Sequence, residues 1–146
     1  MRLGEIEKIY DSVESIKSRC SLPIKIKLSL YSASLKRYKD TIESLKKEVI
    51  TEDDAAYEKE KIDLLEKYKN DSALANLKLD ELITNNPIRY KHYSETVTNI
   101  EIIYNYECDD VPEIKLSIED IPDSIEDIPE NVMETIFSLI DDSTDI

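Results

Sequence analysis

The sequence has 146 residues, 36% of them charged, a net charge of −14 and a single glycine, Gly4. A chain of this length is expected to form one domain with a modest core. The want of glycine excludes phosphate-cradling loops and nucleophile elbows, and the lone histidine, His92, excludes multi-histidine metal sites.

Taken from the N-terminus, residues 1–7 are charged and hold no apolar run of signal-peptide length. No stretch of about 18 apolar residues is present, so no membrane span is expected. Residues 3–20 predict an amphipathic helix, with Leu3, Ile6, Tyr10, Val13 and Cys20 at 3/4 spacing and Ile9 and Ile16 widening the stripe. Ser21-Leu22-Pro23 ends it, because proline restricts the residue before it and lacks a backbone donor.

Two periods overlap next. Ile24, Ile26, Leu28 and Leu30 alternate with polar residues as in a strand, whereas Ile24, Leu28, Tyr31, Leu35, Tyr38, Ile42, Leu45 and Val49 step by 4 and 3 as in a heptad. The longer pattern predicts one helix over 22–50, a strand over 24–31 being the alternative. Thr51 with Asp54 three residues on predicts a capped helix start, with Tyr57, Leu64 and Tyr68 inward and Glu58–Lys61 and Glu66–Lys69 as surface pairs. Asn70-Asp71-Ser72 predicts a break and recap, and Asn85-Asn86-Pro87 a stop. The short link at 50–53 favours an antiparallel helical hairpin.

Beyond Pro87 the pattern turns strand-like. Ile100, Ile102, Tyr104 and Tyr106 alternate with other residues, as do Ile114, Leu116 and Ile118, with turn residues between, which predicts a β-hairpin. A third strand from 88–93 or 24–31 would help it, since two strands alone are marginal. From Glu107 on, fourteen carboxylates face one cation, Lys115, so this segment carries −13 while residues 1–106 carry −1. The hexapeptide Ser-Ile-Glu-Asp-Ile-Pro occurs at 117–122 and again at 124–129. Asp110, Asp120 and Asp127 each precede an apolar-proline step that can open a short helix. The last opens a stripe of Ile128, Val132, Met133, Ile136, Phe137 and Ile140. The organisation expected is a helical body with the first hairpin strand over 1–106 and an acidic segment over 107–146. The fold class is α+β, mostly α: a helical-hairpin or coiled-coil-like bundle with a small β-hairpin and an acidic C-terminal segment.

Catalytic chemistry finds few candidates. His92 has no nucleophile signature near it and is read as a surface or packing residue. Asp141, Asp142 and Asp145 lack the spacing and turn glycine of a calcium loop. Cys20 and Cys108 fit no metal or redox spacing and are read as reduced thiols in a cytoplasmic protein. Lys25, Lys27, Lys36, Arg37 and Lys39 are the nearest approach to a basic patch, read as a solvated helix face, so direct nucleic-acid binding is not expected. Anionic lipid would repel the acidic segment. No enzyme activity, cofactor or metal is expected. The skew toward Ile, Lys, Asp, Glu, Asn and Tyr suits an AT-rich genome such as that of a phage or virus.

The function expected is that of a protein-interaction module, an accessory or adaptor. Its site residues are Ile118, Ile121, Ile125, Ile128, Val132, Ile136, Phe137 and Ile140, set among carboxylates and offered to a protein groove with a basic rim. Whether these residues instead complete the protein's own core is open at this point. Two other readings stand beside it: an acidic nucleic-acid mimic, and a coiled-coil homo-oligomer on the Ile24–Val49 seam.

Overall fold

The computed structural model describes residues 1–122 and 126–140. Six α-helices are present among them: α1 Leu3–Ile16, α2 Leu22–Val49, α3 Glu52–Lys67, α4 Ser72–Asn85, α5 Pro87–Tyr104 and α6 Glu130–Ser138. Two 3-10 turns, Lys17–Arg19 and Ile118–Asp120, complete the regular structure. The chain divides into two compact units: Met1–Glu43 with the described residues from Tyr104 onward, and Ser44–Ile103.

The expected β-hairpin does not form: no strand is present among the described residues, and the two isolated bridges there, Arg2–Glu107 and Leu116–Ile140, do not join 100–106 to 114–118. Residues 87–104 are helical instead, which also removes the third strand proposed at 88–93. The fold class is therefore helical, not α+β. The inward stripe of α5 is Arg89, Tyr93, Thr96, Ile100 and Ile103, spaced 4, 3, 4, 3. Two of its members are polar because carboxylates are their partners, and this hides the helical period from a hydrophobicity pattern. Pro87 stands in the first turn, where no amide donor is needed. Within residues 114–118 the Leu116 amide donates to the Leu139 carbonyl at 3.2 Å, beside the end of α6 and away from residues 100–106.

The ambiguity over 24–31 resolves as helix, α2 being continuous from Leu22 to Val49. The 3/4 spacing wins because Leu28, Tyr31, Leu35 and Ile42 all bury.

In the first unit, α1 buries Leu3, Ile6, Ile9, Val13 and Ile16. Helix α6 packs directly on α1 and brings Met133 and Ile136, with Ile128 buried just ahead of it. Each fully buried aliphatic side chain contributes about 1.5–3 kcal/mol. Lys39 of α2 reaches Asp11 at 3.1 Å and Glu7 at 3.4 Å on α1, but pairs of that kind contribute roughly 0–1 kcal/mol. Apolar burial therefore sets this unit and the ion pairs tune it. The only glycine lets α1 approach the backbone at Tyr104, the last residue of α5: a Cβ at Gly4 would stand 3.2 Å from its carbonyl oxygen.

In the second unit, Tyr57 is the buried centre, with the Tyr93 ring 4.6 Å and the Tyr90 ring 6.4 Å away between centroids. Arg89 lies over Tyr57 at 5.2 Å and bonds Asp53 at 3.1 Å and Glu60 at 2.5 Å. Asp71 caps α4, accepting the Leu74 amide at 3.1 Å, as the Asn-Asp-Ser break predicts.

Truncation in the α1–α6 contact tests which force dominates. Ile136→Ala is expected to lower unfolding free energy by about 2–4 kcal/mol, whereas Lys39→Met is expected to change it by less than about 1 kcal/mol. Urea titrations followed by circular dichroism check both.

Candidate functional site

The acidic-apolar segment is built on the α1–α6 contact. Asp110 takes a φ of 57°, a left-handed conformation that aspartate tolerates because its short side chain bonds locally. The Asp120 carboxylate accepts the Ser117 amide at 3.0 Å, which closes the turn at the first hexapeptide. Lys27 of α2 holds this turn in place. Its ammonium lies 3.7 Å from Asp120 and donates to the Lys115 carbonyl.

The expected site residues separate by burial. Ile128 and Ile136 are buried, and Ile121, Val132 and Ile140 are half-buried. Ile118 is 71% exposed and Phe137 45% exposed. Ile125 lies outside the described residues, as do Asp141, Asp142 and Asp145. The segment thus folds back to complete its own unit and leaves Ile118 and Phe137 outward. Phe137 follows Glu130 and Glu134 at i, i+4, i+7 on one row of α6, so a ring and two carboxylates share a face. The cap expected from Asp127 is not made: α6 begins behind Pro129 with no side-chain cap.

A second cluster, not read from the sequence as a site, lies in the unit 44–103. Thr51 and Asp54 form the expected capping box: the Asp54 amide donates to the Thr51 hydroxyl and the Thr51 amide to the Asp54 carboxylate, both at 3.1 Å. The same carboxylate, 3% exposed, accepts the Thr96 hydroxyl at 2.8 Å and His92 Nδ1 at 2.9 Å from α5. Burial opposes its ionisation, but the bonds from Thr51, His92 and Thr96 outweigh that and hold its pKa at about 2. His92 is raised above its ordinary value, first by the bond to Asp54 and then by that charge. With Nδ1–H committed to Asp54, the neutral ring is fixed in one tautomer. His92 lines an open cleft of about 610 Å³ with Asp53, Asn85, Asn86, Pro87, Ile88 and Arg89.

An oriented imidazole can accept a proton. The interactions that surround it are those of a clamp between the start of α3 and α5, since His92 and Thr96 both bond Asp54. The signal for this cluster is the i, i+4 pair His92 and Thr96, visible only once 87–104 is read as a helix. Cys20 is no better placed for nucleophilic chemistry, because burial and then Asp120 push its thiol upward.

A third feature is an apolar row on the outward side of α2. Leu22, Ile26 and Leu30, at i, i+4, i+8, are 68%, 53% and 70% exposed. They are the residues left over when the heptad face turns inward.

No family model matches the sequence, and no curated protein or solved structure matches it.

The clamp makes stability depend on pH in two windows. His92 has a raised folded pKa, so its contribution is fully present below its unfolded value near 6.5 and is lost as pH rises through the folded value. Asp54 has a depressed pKa, so its contribution is present above 3.8 and is lost as pH falls toward about 2. Urea midpoints are expected to fall above neutral pH in the wild type and to lose that slope in His92→Gln. Asp54→Ala is expected to cost about 2–4 kcal/mol, having removed a cap and stranded buried donors.

Proposed function

We propose that this chain is a protein-interaction module without chemistry of its own, which engages a protein partner through the outward side of its acidic C-terminal region. One observation carries this reading: α6 is anchored by Met133 and Ile136 while Phe137, one residue on, stands exposed on the row of Glu130 and Glu134. A large aromatic ring held out of the core on a fixed helix is the kind of group that dominates binding energy when a partner pocket covers it. Carboxylates beside it favour a pocket with a basic rim, speed the encounter and reject acidic surfaces. Ile118, held by the turn at 118–120, supplies a second apolar contact.

The partner chemistry is therefore an apolar groove flanked by lysine or arginine. The residues with the largest roles are Phe137 and Ile118, while Ile128 and Ile136 act indirectly by fixing α6. A nucleic-acid mimic would depend on the carboxylates and be indifferent to the ring.

The test uses the full chain as bait and titrates each captured partner with wild type, Phe137→Ala and Glu130→Gln/Glu134→Gln. Phe137→Ala is expected to weaken binding roughly tenfold or more with an unchanged urea midpoint. The Gln pair is expected to slow association and flatten its salt dependence. Partner binding indifferent to both Phe137→Ala and Ile118→Ala overturns the reading. Displacement by DNA that tracks only the carboxylates supports the mimic in its place.

A further inference from the structure

His92 has one nitrogen that the clamp does not use. Its Nδ1 edge is held at 2.9 Å against Asp54, a carboxylate 3% exposed, while 52% of its own side chain is exposed. An ionised carboxylate can only accept, so the proton sits on Nδ1 and the Nε2 lone pair of the neutral ring is left on the exposed edge. Asp54 is fixed in turn by the Thr51 amide and the Thr96 hydroxyl, so the imidazole is aimed and has a negative charge behind it. The cleft of about 610 Å³ that His92 borders decides what that lone pair can do. Among the described residues, its other walls are Asp53, Asn85, Asn86, Pro87, Ile88 and Arg89, none of which carries a hydroxyl or thiol. No side-chain nucleophile stands there for His92 to activate, so the attacking group is the imidazole itself. Two carboxylates besides Asp54 act on the ring, Asp53 and, one turn on along α5, Glu95. Asp53 is bonded to Arg89 at 3.1 Å, which offsets its charge within the wall. The exposed Asn85 and Asn86 bring carboxamide donors suited to the oxygens of a tetrahedral anion.

We propose that His92 is a phosphoacceptor, whose Nε2 takes a phosphoryl group from an acyl phosphate or a phosphoramidate. The Nε2 lone pair attacks phosphorus and a P–N bond forms. The bond from phosphorus to the leaving oxygen or nitrogen breaks, and its electron pair goes to that atom. The ring becomes a phosphorylated imidazolium that still donates Nδ1–H to Asp54, whose carboxylate balances the new positive charge. Nothing is oxidised or reduced. Nε2 is the reacting atom and Asp54 a positioning residue, since it acts only through the ring. The step modifies the chain and turns nothing over. It takes place within the unit 44–103, so it stands or falls independently of the contact assigned to Phe137.

Because His92 is the only histidine in the chain, any phosphohistidine formed reports on this position. The full chain is incubated with potassium phosphoramidate beside a peptide of residues 88–96, which holds the same histidine without Asp54. Phosphorus NMR and intact mass follow both. The expected result is one phosphoryl group per chain, on Nε2 alone, acquired about tenfold or more faster than by the peptide, which reacts at both nitrogens. The adduct is expected to survive alkali, to be lost in acid and to be absent from His92→Gln. Asp54→Asn, checked for folding by circular dichroism, is expected to fall to the peptide's rate and to lose the preference for Nε2. Should that variant unfold, the comparison of wild type with peptide decides alone. Phosphorylation at Nδ1, or a rate no greater than the peptide's, overturns the proposal. Release of inorganic phosphate with no adduct also overturns it and reassigns His92 as a base toward water. Phe137→Ala is expected to react as wild type, which keeps the two readings apart.

Discussion

The apolar stripe of α1 is the constraint on which the first unit depends. Five of its fourteen residues are buried aliphatics, and no polar edge of a helix that short could keep such a stripe in solution uncovered. Cover comes from α6, and α2 reaches the same helix through Lys39 and Ser32. This settles the fate of the acidic segment. Its repeats and carboxylates give it the look of a free tail, yet Ile128, Met133 and Ile136 draw it onto α1. Charge decides which of its residues stay outside. Branched apolar residues decide that it folds at all.

The second unit is held by a different balance. Its buried apolar side chains are Tyr57, Ala75 and Ile103, against thirteen in the first unit. What it has in addition is a polar centre, in which one carboxylate serves two threonines, a histidine and a helix start. No buried side-chain polar atom among the described residues lacks a partner, as a low-dielectric interior requires. A unit that relies on one such network is more specific in its geometry than in its stability, because every member constrains the others while the net gain per bond is modest.

The helices written in apolar letters were legible in the sequence. The heptad of α2 and the stripe of α1 were visible because leucine and isoleucine sit at nearly every inward position. The Thr51–Asp54 box and the Asp71 recap were visible because capping follows local rules. Helix α5 was not, for a physical reason: Arg89 and Thr96 occupy its inward stripe, and isoleucine and tyrosine at 100, 102, 104 and 106 happen to alternate. The identity of the site residues was legible only in part. Sequence can say that eight apolar residues lie among carboxylates, but which of them turn outward depends on where α1 is. The outward row of α2 was present as the remainder of the heptad, a signal that gains meaning only when the burial of the other face is known.

The first unit is made of two stretches of chain with the whole second unit between them in sequence. During synthesis, α1 leaves the ribosome with its aliphatic stripe bare, and the residues of α6 that cover it follow roughly a hundred positions later. Residues 44–103 have time to fold first, on contacts made within that stretch, while the N-terminal helix waits. The nascent chain is therefore at its stickiest in mid-synthesis. For that interval the bare stripe is an aggregation hazard of the kind that discontinuous units carry.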